Sequence, residues 1–177
     1  MAQDNRQAWE VHLDASELGG LHRVGTLYRH DMRTDLAACF AYDADWLKSG
    51  LAFMLDPRLE LWRGEQHPPV DYPAFGVFMD SAPDRWGRVL MERREAAIAH
   101  REQRRMRKQQ EIDFLLGVFD QTRMGALRFR DIRGGPFLDD SPHAAPPVTN
   151  LRELAYISRR VEAVSYTHLT LPTTPYV

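Results

Sequence analysis

Residues 9–28 read WEVHLDASELGGLHRVGTLY, and their punctuation decides the fold. Short apolar-rich runs from Trp9 to Leu13 and from Leu18 to Leu21 are separated by Asp14-Ala15-Ser16, and after Gly19-Gly20 another short segment continues through Tyr28. Apolar runs interrupted by Asp/Ser and by paired glycines predict antiparallel hairpins. Outward from this stretch, Ala38 to Trp46 alternates Phe40 and Tyr42 before an acidic turn, and Leu51–Leu55 and Leu59–Trp62 are further apolar runs. Together these predict a small antiparallel sheet. Pro68, Pro69 and Pro73 remove backbone donors, so residues 63–73 are expected to be a loop crossing to a new element.

That element is expected to be helical. Asp80 or Ser81 can cap its first turn, Pro83 suits an early position, and Asp84 complements the positive end of the helix dipole. Trp86, Val89, Leu90 and Ala97 recur at helical spacing as a core face, opposite Arg85, Arg88, Glu92 and Glu95. A second helix is predicted from Gln109 or Glu111 to Val118, with Ile112, Leu115, Leu116 and Phe119 inward. Ala126–Arg130 then alternates as a strand does, and residues 131–149, with Gly134-Gly135 and four prolines, form a long loop. The predicted class is α+β: a small antiparallel sheet followed by two helices and a returning strand.

Composition bounds the function. The chain has 177 residues, 44% hydrophobic and 27% charged, with a formal net charge of −2, so it carries no global field attracting nucleic acid or anionic lipid. One cysteine, Cys39, excludes an internal disulfide and a Cys-rich zinc site. No stretch approaches the roughly 18 apolar residues of a membrane span, and the first ten residues lack the apolar core of a signal peptide. A cytoplasmic location without membrane contact is the expectation.

Charge is uneven, however. Arg85 to Lys108 holds nine Arg or Lys and three Glu. Two readings stand: contact with phosphates or an acidic partner, or a solvated helix whose arginines pair with Glu at i,i+4, as Glu102 can with the nearby Arg104–Arg107 run. No aromatic residues interleave to stack bases, which favours the second. The seven histidines form no close pair or H-E-x-x-H, so no metal ligands are expected. Ser81 lacks a nucleophile elbow and is accounted for by capping, and no Gly-rich phosphate loop is present. No catalytic residue, cofactor-binding residue or metal ligand is assigned.

Two longer stretches are more specific: FMDSAPDRWGR at 78–88 and DFLLGVFDQTRMGALRF at 113–129. With the basic segment between them and Tyr42-Asp43-Ala44-Asp45-Trp46-Leu47 upstream, they resemble the N-terminal part of the HipA family, the toxin kinases of type II toxin-antitoxin systems. The resemblance spans roughly residues 10–163. It implies the opening portion of a serine/threonine protein kinase that binds ATP with Mg²⁺ and phosphorylates a translation component such as an aminoacyl-tRNA synthetase. It also implies a DNA-binding HipB-like antitoxin as partner, hence indirect association with DNA.

The family's Gly-rich ATP loop, catalytic Asp loop and metal-binding Asp lie beyond the segment matching 151–163, so catalysis by this chain is not expected. The implied layout is an N-terminal subdomain over 1–110 and the start of the kinase domain over 111–163. Within it Trp86 is expected as a core anchor, Gly87 as a close-packing position, Gly125 as a turn, and Ala126–Phe129 as an edge of the small lobe. Arg85, Arg88 and Arg123 are either structural or a surface for the antitoxin or substrate. The rival is a stand-alone module using the Arg85–Lys108 surface on nucleic acid or an acidic protein.

Residues 164–177, VSYTHLTLPTTPYV, contain no charged residue, whereas all 48 charges fall before them. The break interrupts a helix-like segment, LRELAYISRRVEA, and the tail resembles translated sequencing-adapter read-through; the alternative is a natural Thr/Pro-rich tail. It is set aside from the fold.

Overall fold

A computed structural model describes residues 6–29, 38–120 and 123–138. The helix-like segment 151–163, the tail 164–177 and most of the expected loop 131–149 lie outside the described residues.

The sheet predicted from residues 9–28 forms, and its strands are longer than the sequence suggested. β1 (Gln7–Ala15) and β2 (Gly20–Arg29) pair antiparallel along their whole length. Leu18–Leu21 is not a separate run. Ser16–Leu18 is one 3-10 turn, ended by Gly19 at φ 87° and Gly20 at φ 114°, which lets β2 begin immediately and continue unbroken to Arg29. A bulge between Val11 and His12 absorbs one residue of β2. β3 (Ala38–Tyr42) pairs with β2, and β4 (Glu65–Gln66) pairs with β3. β5 (Leu127–Asp131) returns to pair with β1, giving the order β4-β3-β2-β1-β5 with every pair antiparallel.

Register aligns Val11, Leu13, Leu27, Phe40, Tyr42, Leu127 and Phe129 on one face, and the helices cover it. α2 (Gly76–Asp80) supplies Phe78, whose ring lies 5.3 Å from that of Phe40 and 6.3 Å from that of Phe129. α4 (Glu111–Leu116) adds Ile112 and Leu115, both fully buried, and Phe114 faces inward too. Removing each such side chain from water contributes about 1.5–3 kcal/mol. The result is a two-layer α+β fold with one core between helices and sheet.

Several expectations need correction. The acidic turn after Tyr42 is a short helix, α1 (Ala44–Lys48), capped by the Asp43 carboxylate accepting from the Asp45 N–H at 2.8 Å. Leu51–Leu55 and Leu59–Trp62 are not strands, because side chains take over the backbone bonding. The Leu55 N–H donates to the Tyr42 hydroxyl, Asp56 accepts from the N–H groups of Arg58 and Val77, and Gln66 exchanges two bonds with the Glu60 backbone. The fourth strand instead falls inside the expected loop 63–73.

The long helix α3 (Arg85–Arg101) starts at Asp84, which accepts from the Gly87 N–H at 2.8 Å; Asp80 and Ser81 end α2 instead. Pro83 disfavours helix at Ala82 and so separates the two. Trp86 is 44% exposed and Ala97 is exposed; α3 buries Met91 and Ala99. Gly87 does sit at a close approach, where a Cβ would meet the Pro83 Cβ at 2.8 Å. Gly125 has φ 82° in the turn before β5. No helix among the described residues is long and apolar enough to cross a membrane.

Candidate functional site

The basic segment folds back on its own carboxylates. α3 ends in a Schellman motif with Gln103 at φ 51°, the Arg104 N–H reaching the Ala99 carbonyl and the Gln103 N–H the His100 carbonyl. That reversal lays Arg104 along the helix, where it grips Glu95 with two bonds of 2.6 and 3.1 Å and meets Glu102 at 2.7 Å. The Arg104 guanidinium and the Arg107 N–H hold the Glu95 carboxyl down at about 2. Arg88 pairs with Glu111, while Arg107 and Arg29 converge on Asp113 at 2.9 and 2.7 Å. Pairing is therefore real, although it runs across the helix end and to α4 rather than at i,i+4. Between α3, α4 and β1 lies a groove of about 420 Å³, lined by apolar Trp9, Met91, Ile98 and Leu116 and by polar Glu95 and Asp113 among others.

The three arginines for which a structural role and a partner surface were both open fall in different places. Arg85 is exposed. Arg88 is half-buried against Glu111, 5.1 Å above the Phe114 ring. Arg123 is buried: it donates to the carbonyls of Leu115 at 2.6 Å, Val118 at 3.2 Å and Ser81 at 3.4 Å, and lies over the Phe129 ring. It thereby ties α2, α4 and β5 together, and it is not a surface group.

The second face of the sheet carries polar chemistry that sequence reasoning missed. Glu10 and His12 project there from β1, with the His12 ring 3.2 Å from the Glu10 carboxylate. Arg130 of β5 and Arg23 of β2 also reach Glu10. Burial opposes ionisation of Glu10, but the hydrogen bonds from Arg130 and His12 outweigh it and hold its carboxyl below the usual range. Burial depresses His12 more than Glu10 lifts it, so the imidazole is neutral with its Nε2–H donating to Glu10. The signal was available: Glu10 and His12 alternate with apolar neighbours on a strand.

At the opposite edge, ligand atoms of Cys39, Glu65 and His67 lie within 4.8 Å of one another. Burial, and then the charge of Glu65, push the Cys39 thiol up to about 11. Arg6 bonds Glu65 at 2.7 Å and stacks 3.6 Å over the Tyr28 ring. The glycine pair Gly134-Gly135 follows a turn after β5, in which the Gly134 N–H donates to the Asp131 carbonyl at 2.9 Å. No protein-family model matches this chain, and no curated protein matches it.

Proposed function

We propose that the chain is the N-terminal portion of a HipA-like toxin serine/threonine protein kinase, acting as a scaffold and antitoxin-contacting part rather than as the catalyst. The observation that carries this reading is the junction at Arg123. The stretches 78–88 and 113–129, which hold the family resemblance, are bound into one body by a guanidinium that donates to carbonyls of both. Residues that would define the family are thus spent on assembling the fold, as expected of a portion whose nucleotide-holding segments lie further along. The rival reading, a module that binds nucleic acid through Arg85–Lys108, loses force because Arg88, Arg104 and Arg107 are already committed to carboxylates.

The whole form would use ATP and Mg²⁺ on a protein of the translation apparatus and would be restrained in the cytoplasm by a HipB-like DNA-binding partner. Two measurements test this. Purified 177-residue protein incubated with labelled ATP and Mg²⁺ is expected to incorporate no phosphate, and robust autophosphorylation overturns the scaffold role. In the source DNA, the reading frame should continue past Ala163 into a Gly-rich loop and catalytic aspartates; a natural stop there overturns the kinase reading.

A further inference from the structure

The β3–β4 edge assembles a donor set whose members are far apart in sequence. In the register that pairs Phe40 with Gln66 and Ala41 with Glu65, His67 comes opposite Cys39, so Cys39, Glu65 and His67 share one face of the pair. Their sulfur, oxygen and nitrogen atoms lie within 4.8 Å of one another, and the Cys39 Sγ is already 3.5 Å from a Glu65 oxygen. Donors around a tetrahedral zinc ion stand about 3.5 Å apart, so closing on an ion asks for a contraction on the order of 1 Å. β4 can supply it, being a two-residue strand at the edge of the sheet. A thiolate and an imidazole select a borderline cation and reject Mg²⁺ and Ca²⁺, which take oxygen.

A positive charge is held at this place now. The Arg6 guanidinium is 2.7 Å from Glu65 and 4.0 Å from the Cys39 sulfur. One guanidinium balances a carboxylate beside a protonated thiol; a divalent ion balances a carboxylate and a thiolate. We propose that Cys39, Glu65 and His67 form a binding site for zinc at the β3–β4 edge, taken up in exchange for the Arg6 guanidinium. On binding, a sulfur–metal bond forms, the thiol proton passes to solvent, and a fourth position is left to water. Arg6 precedes β1, so it can swing aside by giving up its ion pair and its stacking on Tyr28. The inference is independent of the kinase reading.

The chain's single cysteine makes the test specific, because a thiolate-to-cobalt charge-transfer band can arise only from Cys39. Tag-free, chelator-stripped protein is titrated with Co²⁺ and then with Zn²⁺, with the far-ultraviolet circular dichroism recorded for each variant. The expected result is one Co²⁺ per chain with an intense thiolate band that one equivalent of Zn²⁺ removes. Losing a ligand costs at least what losing an outer-shell partner does, so His67→Ala should weaken binding by about tenfold or more. Arg6→Ala should tighten it several-fold, which a merely structural trio would not do. His67 is exposed, so its variant tests the site even if Cys39→Ser fails to fold. Absence of the band, a band that survives His67→Ala unchanged, or weaker binding by Arg6→Ala would each overturn the proposal.

Discussion

Arg123 is a single side chain on which three elements depend, and its chemistry predicts how the fold responds to losing it. Its guanidinium satisfies backbone carbonyls at Ser81, Leu115 and Val118 from a buried position. Arg123→Met keeps much of the volume and strands those acceptors, each unsatisfied buried group costing about 1–3 kcal/mol. We expect a loss of about 2–4 kcal/mol in urea unfolding, and Arg123→Lys should recover little of it, since one ammonium cannot replace a planar fork. His12 makes a different prediction. The Nδ1 of this 7%-exposed side chain has no hydrogen-bond partner among the described residues, and Glu10 of β1, Arg23 of β2 and Arg128 and Arg130 of β5 surround the ring. Burial lowers its pKa from 6.5, so below that pH the unfolded chain takes up a proton that the folded chain resists. Stability should therefore be level above pH 6.5 with respect to this group and decline as pH falls below it. The depressed Glu10 adds a decline of the same sign below about 4.5. In His12→Gln the upper decline should vanish from urea midpoints measured across that window, and a midpoint slope unchanged from the parent would refute the assignment.

Among the elements, α3 is the one whose ends are set most clearly by local chemistry. The sequence marked a helix start nearby but set it too early, at Asp80 or Ser81; Pro83 stands outside the helix and Asp84 caps it. Its end was not legible, because nothing marks Gln103 as a left-handed residue; glycine is the usual signal at that position. Gln103 holds φ 51° against the steric preference of an L-residue, and the arginine–glutamate clamp behind it depends on the reversal. Gln103→Gly should relieve about 1 kcal/mol and raise the thermal midpoint; a lower midpoint would mean the left-handed conformation is not adopted. The faces of α3 show the limit of periodicity. Trp86, Val89 and Leu90 lie at helical spacing, yet spacing alone does not say which side meets the sheet; the helix turns Met91 and Ala99 inward instead. In α4 the apolar cluster is dense enough that Ile112 and Leu115 were legible, while Phe114 was not.

For the molecule as a whole, two kinds of backbone bonding coexist, and they should open separately. β1, β2, β3 and β5 hold one another through antiparallel ladders; apolar alternation was readable at β3 and β5, whereas β1 and β2 were legible only as short runs between turn residues. Residues 51–64 rest instead on Tyr42, Asp56 and Gln66 side chains, which is why two apolar runs there imitated strands. The polar face was hidden for a related reason: neighbours such as Cys39 and His67 meet only through the order β4-β3-β2-β1-β5, which no local pattern encodes. Asp56 links the irregular segment to α2, accepting from Arg58 at 2.9 Å and from Val77 at 3.1 Å while itself buried. Asp56→Ala leaves two backbone donors unpaired, and each costs about 1–3 kcal/mol if it stays buried. Local opening is the cheaper response, because it returns those donors to water without breaking the ladders. Hydrogen exchange should therefore accelerate in the variant at Arg58, Glu60 and Val77, while β1 and β2 amides keep nearly parental protection. A uniform loss of protection across the sheet would mean that the two parts unfold as one cooperative unit, with Asp56 as part of its core.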